Sequence, residues 1–413
     1  MIDQEEKRKF KRFLVIFLLL YDIFRFGFAF VFAGLHIALM AGLFLEWRRD
    51  RLAYSRGSPK EAGGPGHEKP DIPKVSVIIP VHNERLHLAG LLQSLALQDY
   101  AAAEFIFIDD RSSDESSELL RGFAPVSLKG GAAPEQARII TLQENPGPNH
   151  KQYALGKGIE AASGEFFLFT DADCEVPPGW ITAMVTRMRA DERIGVTIGP
   201  VFKRPGGKGF FHLYQCFDHA VRYMYLAGST GLGAAGGGFG NNLILRRAAL
   251  RAIGGYDMVP VSPTEDAALI SRIRAGSDYR IRSAAGADLF VLTGCEYSWK
   301  ALINQTLRWN NGGLFSSDPA TRFNFRFLMI TISMGIIAIP LLLCIPSLWP
   351  LTGAVMFAMT LNTAATLRLF GSALPKKGIA YIPQTVFTPM YFTFLTVLGF
   401  CGFKIHWKGS QVP

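Results

Sequence analysis

Two aspartates one residue apart, Asp171 and Asp173, follow the apolar run Phe166-Phe167-Leu168-Phe169-Thr170. In an extended segment residues two apart point to the same side, so both carboxylates can approach one cation or the ligand it carries. Two carboxylates at the end of a buried strand are costly without a compensating partner. A divalent metal held by so few carboxylates usually completes its shell with phosphate oxygens, which points to a nucleotide-type substrate.

Three other constellations sit in comparable places. Val75-Ser76-Val77-Ile78-Ile79-Pro80-Val81-His82-Asn83-Glu84 is a buried strand that ends in polar residues; a strand followed by a capped helix accounts for the apolar part but less readily for Glu84. Asp109-Asp110-Arg111-Ser112-Ser113-Asp114 follows a second apolar run. Ser and Asp cap helices well, yet two adjacent aspartates exceed what a cap needs, and one can accept a hydrogen bond from a nucleobase N–H or a ribose hydroxyl. Thr264-Glu265-Asp266 opens a helix over 267–275, with Thr264 as N-cap and acids in the first turn, which is ordinary macrodipole chemistry.

The elements that must position these groups follow from periodicity. Residues 75–80, 104–109, 138–142, 166–170 and 194–199 read as strands, and 84–98, 113–123, 152–162 and 178–190 as helices, the last with Pro178 in its first turn. Such βαβ alternation predicts an α/β fold, a mainly parallel sheet covered on both faces, with its ligand at the carboxyl ends of the strands. Those ends carry Glu84, Asp109, Asp110, Asp171 and Asp173.

Composition widens the frame. The chain has 413 residues, 49% of them hydrophobic, and a net charge of +9, so it exceeds one ordinary soluble domain and part of it is expected in a membrane. Its basic residues cluster beside apolar segments, at 7–12, 48–51 and 376–377, as anionic headgroups favour; no nucleic-acid-binding motif accompanies them. Five scattered cysteines without CxxC spacing argue against a disulfide framework or structural zinc, which fits a reducing, cytoplasmic face.

Residues 1–54 read as an amino-terminal membrane anchor, its cleanest apolar portion at 26–45, preceded by an interfacial turn at Asp22 and Arg25. Residues 55–74 are rich in Gly, Pro and charge and read as a flexible linker, 75–326 as the catalytic domain, and 327–413 as a second membrane region. In that last region the proline-containing segment 379–403 is expected to be re-entrant or interfacial, because basic residues flank both of its ends. Gly231-Leu232-Gly233-Ala234-Ala235-Gly236 fits GxGxxG, but an aromatic-rich helix precedes it and a strand over 241–245 follows, the reverse of the dinucleotide-binding order. It reads as a mobile loop near an acceptor, with Asn241 and Asn242 as acceptor contacts. The aromatic helix over 210–225 reads as cover for the sheet, with an interfacial role as the alternative.

Together with Gln305-Thr306-Leu307-Arg308-Trp309, a QxxRW pattern, these motifs resemble the membrane-bound family 2 glycosyltransferases, among them cellulose and hyaluronan synthases and ceramide glucosyltransferase. The resemblance spans 75–309 and implies a Rossmann-like GT-A catalytic domain flanked by transmembrane helices. It also implies roles. Pro80 and Glu84 look like residues lining the nucleotide pocket, Asp110 with Asp109 like the carboxylate that reads the base, and Lys151 like the lysine of a GKxxAL stretch, with His150 in place of the usual Gly. Asp171 and Asp173 resemble a DxD pair, Asp173 being the direct ligand of Mg2+ or Mn2+ and Asp171 lying nearer the ribose. Asp266 looks like the general base, with Glu265 beside it at the acceptor.

A positioned carboxylate that takes the acceptor's proton during attack contributes roughly 10²–10⁴ in rate. The leaving nucleoside diphosphate would be stabilised by the metal and by Arg308, Gln305 belongs to the same motif, and Trp309 offers a flat face for an acceptor ring. The implied activity is inverting transfer from a nucleotide-diphosphate sugar, a UDP-sugar being expected, to a lipid acceptor. The site would face the cytoplasm from a multi-pass inner membrane protein. Alternatives are a processive polysaccharide synthase and a non-catalytic nucleotide-sugar-binding scaffold. Trp407-Lys408-Gly409 also resembles the WKGR or WRGR ending of lipid-modifying relatives, with Ser410 departing at the last position.

Overall fold

The computed structural model describes residues 4–57, 72–123, 135–204, 206–376, 378–403, 405–407 and 410–412. Most of the 55–74 linker lies outside them, as do Lys377, Lys408 and Gly409.

The sheet begins with β1 (Val75–Val81), β2 (Ala103–Asp110), β3 (Glu135–Leu142) and β4 (Phe166–Phe169), and β5 (Cys174–Glu175) follows. Next come β6 (Ile194–Ile198), β7 (Val201–Arg204), β8 (Leu243–Arg246), β9 (Arg280–Ser283) and β10 (Val291–Gly294). Seven of these strands form one sheet in the order β3-β2-β1-β4-β8-β6-β9. β1 shows why it is central: Val75, Val77, Ile79 and Val81 enter one core and Ile78 the opposite one, as expected of a strand covered on both faces.

The strand positions follow the sequence pattern, but the sheet is mixed. β8 runs antiparallel to both β4 and β6, with Phe169 opposite Leu243. The chain therefore enters β8 at the carboxyl end of β4, and the Gly-rich stretch before it lies across the mouth of the site. That return is invisible to a βαβ reading. A second sheet, β5-β10-β7, sits beside this end and pairs Cys174 and Lys203 with Thr293. Pro178 precedes the Trp180–Arg189 helix instead of entering it, and Gly179 at φ 78° makes the turn.

The amino-terminal helix is continuous from Gln4 to Gly57, roughly 80 Å at 1.5 Å per residue. No turn interrupts it at Asp22 and Arg25. Arg25 Nε donates to Asp22 Oδ1 at 2.7 Å across one helical turn, a spacing at which opposite charges support a helix. Its far end docks on the catalytic fold through buried acids: Asp50 meets Arg187 Nε at 2.5 Å, and Glu46 meets Arg282 Nη1 at 3.2 Å and the Ser283 N–H at 3.2 Å.

By length and composition three helices among the described residues can cross a membrane, over Lys11–Ser55, Pro319–Leu341 and Pro346–Ala373. The Ile382–Phe400 helix carries Pro389 inside it and is not among them. The long helix meets the aromatic Phe210–Gly231 helix at glycines. A Cβ at Gly42 would collide with the Gly228 carbonyl oxygen, and one at Gly231 with that of Gly42, so the two backbones touch, as small residues permit. The first glycine of the GxGxxG match thus serves helix packing. Gly42→Ala or Gly231→Ala is expected to cost about 1–3 kcal/mol by overpacking, read as a lowered thermal midpoint in detergent. Gly27→Ala, whose added Cβ meets nothing within 4 Å, should leave the midpoint in place; three equal midpoints would contradict the contact.

Candidate active site

A cavity of about 1220 Å³ opens at the carboxyl ends of β1, β2 and β4. Pro80, Glu84, Asp110, Lys151, Asp171 and Asp173 line one part of it. Asn241, Glu265, Asp266, Gln305, Arg308 and Trp309 line it further along. Strand register brings the first group together, since Pro80 pairs with Ile108 and Val81 with Asp109.

Lys151, in the first turn of the His150–Ala161 helix, holds the centre. Its Nζ lies 2.8 Å from Asp171 Oδ1 and 3.2 Å from Glu265 Oε1. Burial alone would lower its pKa, but the two carboxylates outweigh it and hold Lys151 above the ordinary lysine range. Burial pushes Asp171 up, and Asp173 adds to that against the pull of Lys151. For Glu265 burial also acts upward, and the Lys151 and Arg308 cations outweigh it, keeping the carboxyl below its usual range.

Asp266 behaves oppositely to its neighbour. Burial and the Glu265 charge push it up to about 6, although Lys151 and the N–H groups of Ala267 and Gly240 oppose the shift. The Gly240 N–H donates to Asp266 Oδ2 at 2.8 Å and the Ala267 N–H to Oδ1 at 2.7 Å. Two adjacent acids whose pKa values are driven apart play separate parts. Glu265 is an ion-pair partner, and Asp266 is the one whose carboxyl is raised to about 6. Thr264 occupies the N-cap position, but its hydroxyl makes no capping bond.

The Trp299–Leu314 helix presents the last group. Arg308 Nη1 donates to the Pro263 carbonyl at 2.7 Å, next to the acids. Gln305 accepts from Lys203 Nζ at 3.4 Å and donates to Glu296 Oε1 at 2.7 Å. The Arg222 guanidinium lies over the Trp309 ring at 5.3 Å and the His219 ring meets it edge to face at 5.4 Å, so the indole already has neighbours within the site. The helix is fastened to the Ile382–Phe400 helix through Thr306 and Tyr391, whose hydroxyls are 2.7 Å apart.

Two expected contacts are not brought to the cavity. Asp109 is buried and accepts from the Ser112 N–H at 3.1 Å and from the Ser117 hydroxyl, so it organises the loop behind Asp110. Asn242 is fully buried: its oxygen accepts from Trp180 Nε1 at 2.9 Å and its amide donates to the Pro200 and Leu289 carbonyls at 2.7 and 2.8 Å. Asn241 alone of that pair lines the cavity. Three residues of the site carry no local sequence signal. Asn145 donates to Asp110 Oδ2 at 2.8 Å, Thr293 donates to Asp173 Oδ2 at 2.9 Å, and Lys203 lines the wall.

The carboxylates also bear on a metal. Both oxygens of Asp171 lie within 2.9 Å of Lys151, whereas Asp173 holds no cation among the described residues. No group of three or more His, Cys, Asp or Glu among these residues forms a closed cage. One or two carboxylates beside an open cavity suit Mg2+ or Mn2+, which take their other ligands from phosphate and water, so the donor set fits.

Comparison with known proteins places this geometry. The model described as "Glycosyl transferase family 2" matches residues 76–254, and "Glycosyl transferase family group 2" matches 166–401. The chain is a family 2 glycosyltransferase. A probable glycosyltransferase YdaM of Bacillus subtilis is 25% identical to it over 292 residues, 68% of this chain and 63% of that one. The undecaprenyl-phosphate 4-deoxy-4-formamido-L-arabinose transferase of Aeromonas hydrophila is 36% identical over 122 residues, 28% of this chain and 33% of its own. The glycosyltransferase thus spans from about a third to just under two thirds of these curated relatives. The mannosyltransferase PcManGT of Pyrobaculum calidifontis, solved with GDP-Man and Mn2+, shares the GT-A fold at TM-score 0.50 and 20% identity, covering 89% of this chain and 99% of that one.

A base must be unprotonated to act, so with Asp266 proposed as the base the transfer rate is expected to hold above about pH 6 and to fall as pH drops through it. Lys151→Met removes a cation that opposes that shift and should move the acid limb of kcat/KM to higher pH. An unmoved limb would contradict the coupling.

Proposed function

We propose that this glycosyltransferase moves a sugar from a nucleotide-diphosphate donor to the hydroxyl of a membrane lipid, with inversion. The observation that carries the reading is the reach of the cavity. Beyond Trp309 its wall is formed by Val31, Leu35 and Leu39 of the long amino-terminal helix, Leu226 of the aromatic helix, and Leu328 and Met329 of the Pro319–Leu341 helix. Two of these three helices are membrane-span candidates, so one cavity joins the strand-end carboxylates to an apolar wall suited to a lipid chain. The relative from Aeromonas hydrophila, by its description, acts on a lipid-linked phosphate, which is consistent with such an acceptor.

The donor's diphosphate would lie by Asp173, with Asp110 toward the base. Asp266 takes the proton as the acceptor oxygen bonds to the anomeric carbon, while the bond from that carbon to the phosphate oxygen breaks and the nucleoside diphosphate leaves. The Arg308 guanidinium, beside the acids, would meet the charge that develops on the leaving group. A divalent cation on Asp173 would supply further neutralisation of the diphosphate. Lys151 keeps Asp171 and Glu265 in place, and the apolar wall excludes water that would compete for the sugar. The catalytic end would face the cytoplasm, where nucleotide sugars are available.

The test is release of nucleoside diphosphate from a panel of sugar donors, with and without extracted membrane lipids. Release is expected to depend on lipid, and Asp266→Asn to lower turnover by roughly 10²–10⁴ while still binding nucleotide. Leu35→Trp, which fills the apolar end, should abolish the lipid-dependent part and spare nucleotide binding. Release indifferent to lipid and to Leu35→Trp would sink the proposal.

A further inference from the structure

Lys203 occupies an unusual position for an ammonium. The pairing of β7 with β10 sets it opposite Thr293, the residue that donates to Asp173. It is only 4% exposed, yet it lines the cavity. Its Nζ donates to the Gly294 carbonyl at 2.7 Å and reaches Gln305 Oε1 at 3.4 Å. Both acceptors are neutral, and Glu296 stands behind the Gln305 amide. A buried charge is costly unless an anion compensates it. Lys151 meets two carboxylates directly, whereas Lys203 meets none among the described residues.

Arg222 brings a second cation to the same wall. Its Nε is paired with Asp218 at 2.6 Å, while its Nη2 is buried without a hydrogen-bond partner. The guanidinium lies 5.3 Å from the Trp309 ring and 5.0 Å from the Phe392 ring, where the reacting groups give way to the apolar wall. His219, on the same helix, is held well below the ordinary histidine range by burial and by both cations, so it adds no positive charge of its own. Asp218 compensates the Arg222 charge, so the excess belongs to Lys203, and Arg222 adds an open donor at Nη2.

We propose that Lys203, with Nη2 of Arg222, forms a phosphate subsite between the carboxylate end of the cavity and its membrane wall. The subsite takes the phosphoryl oxygens of a substrate, either a phosphate in the acceptor lipid's headgroup or the diphosphate of the donor. Only the first of these sources rests on the lipid-acceptor reading. A phosphate bridging the two cations would complete the hydrogen bonding of Nη2 and compensate the buried ammonium in one step.

The full-length protein is assayed for binding of uridine and guanosine diphosphate against the parent nucleosides, and of dodecyl phosphate against dodecanol. Losing one charge-assisted bond should weaken one phosphate probe at least about tenfold in Lys203→Gln, while Lys203→Arg retains most of the affinity and the phosphate-free probes are unaffected. Loss confined to dodecyl phosphate assigns the subsite to the lipid; loss confined to the diphosphates assigns it to the donor. A Lys203→Gln protein with wild-type thermal midpoint that binds every probe as wild type does would overturn the proposal.

Should that variant not fold, amine acylation of Lys203 in the wild type, read by mass spectrometry, replaces it. Labelling should fall several-fold with the occupying probe, and labelling unchanged at saturation with both would be equally fatal. A failed lipid-acceptor reading looks different, because wild type would then ignore dodecyl phosphate while Lys203 still governed diphosphate binding.

Discussion

The structure depends on compensating buried carboxylates with very few cations. Lys151 is the principal one, and it binds three elements together: its own helix, the end of β4 through Asp171, and the start of the Glu265–Gly276 helix through Glu265. Lys151 and Asp171 are half-buried, so removing one partner leaves a charge that water only partly screens. The same ion pairs give each acid its own role. Asp171 and Glu265 are committed to Lys151, Asp266 is pushed up by burial and by its ionised neighbour, and Asp173 lines the cavity with no cation beside it among the described residues.

A second constraint is the attachment of this cluster to the apolar helices. The amino-terminal helix runs unbroken from its apolar half to Glu46 and Asp50, which dock against β9 and the Trp180–Arg189 helix. Glycine contacts lock it to the aromatic helix, and the helix bearing Arg308 and Trp309 is fastened to the Ile382–Phe400 helix. The catalytic fold is therefore held in a fixed relation to the apolar helices, and their walls become part of its cavity. The aromatic helix consequently does two things, covering the sheet as expected and contributing Arg222 and Leu226 to the wall.

Much of this is legible in the chain because β1, β2 and β4 are short apolar runs that end in acids, and strand ends are where such folds bind ligands. The departures have separate physical causes. Neighbours along an extended segment face opposite ways, so of Asp109 and Asp110, both in β2, only Asp110 reaches the cavity, while Asn241 and Asn242 sit in the turn before β8, which sends Asn242 into the core. Adjacency does not mean shared function where alternation forbids it. The antiparallel β8 escapes because nothing local distinguishes a strand entered from the far end. Asn145, Thr293 and Lys203 escape because their meaning comes from partners 35, 120 and 102 residues away. At Asp22 and Arg25 the sequence suggests a break, because charges that pair across one helical turn look like an interruption of the apolar run.

As proposed above, one cavity holds the donor at the strand ends and the acceptor chain between the apolar helices, meeting at Asp266. The most direct measurement is a cryo-EM map of the full chain in lipid with a nucleoside diphosphate and Mn2+. Nucleotide density is expected beside Asp110 and Asp173, and an acyl-like density running from Asp266 past Trp309 to Leu35 and Leu328. A nucleotide bound away from those aspartates, or lipid density confined to the outer surface of the helices with the cavity closed to it, would contradict the account.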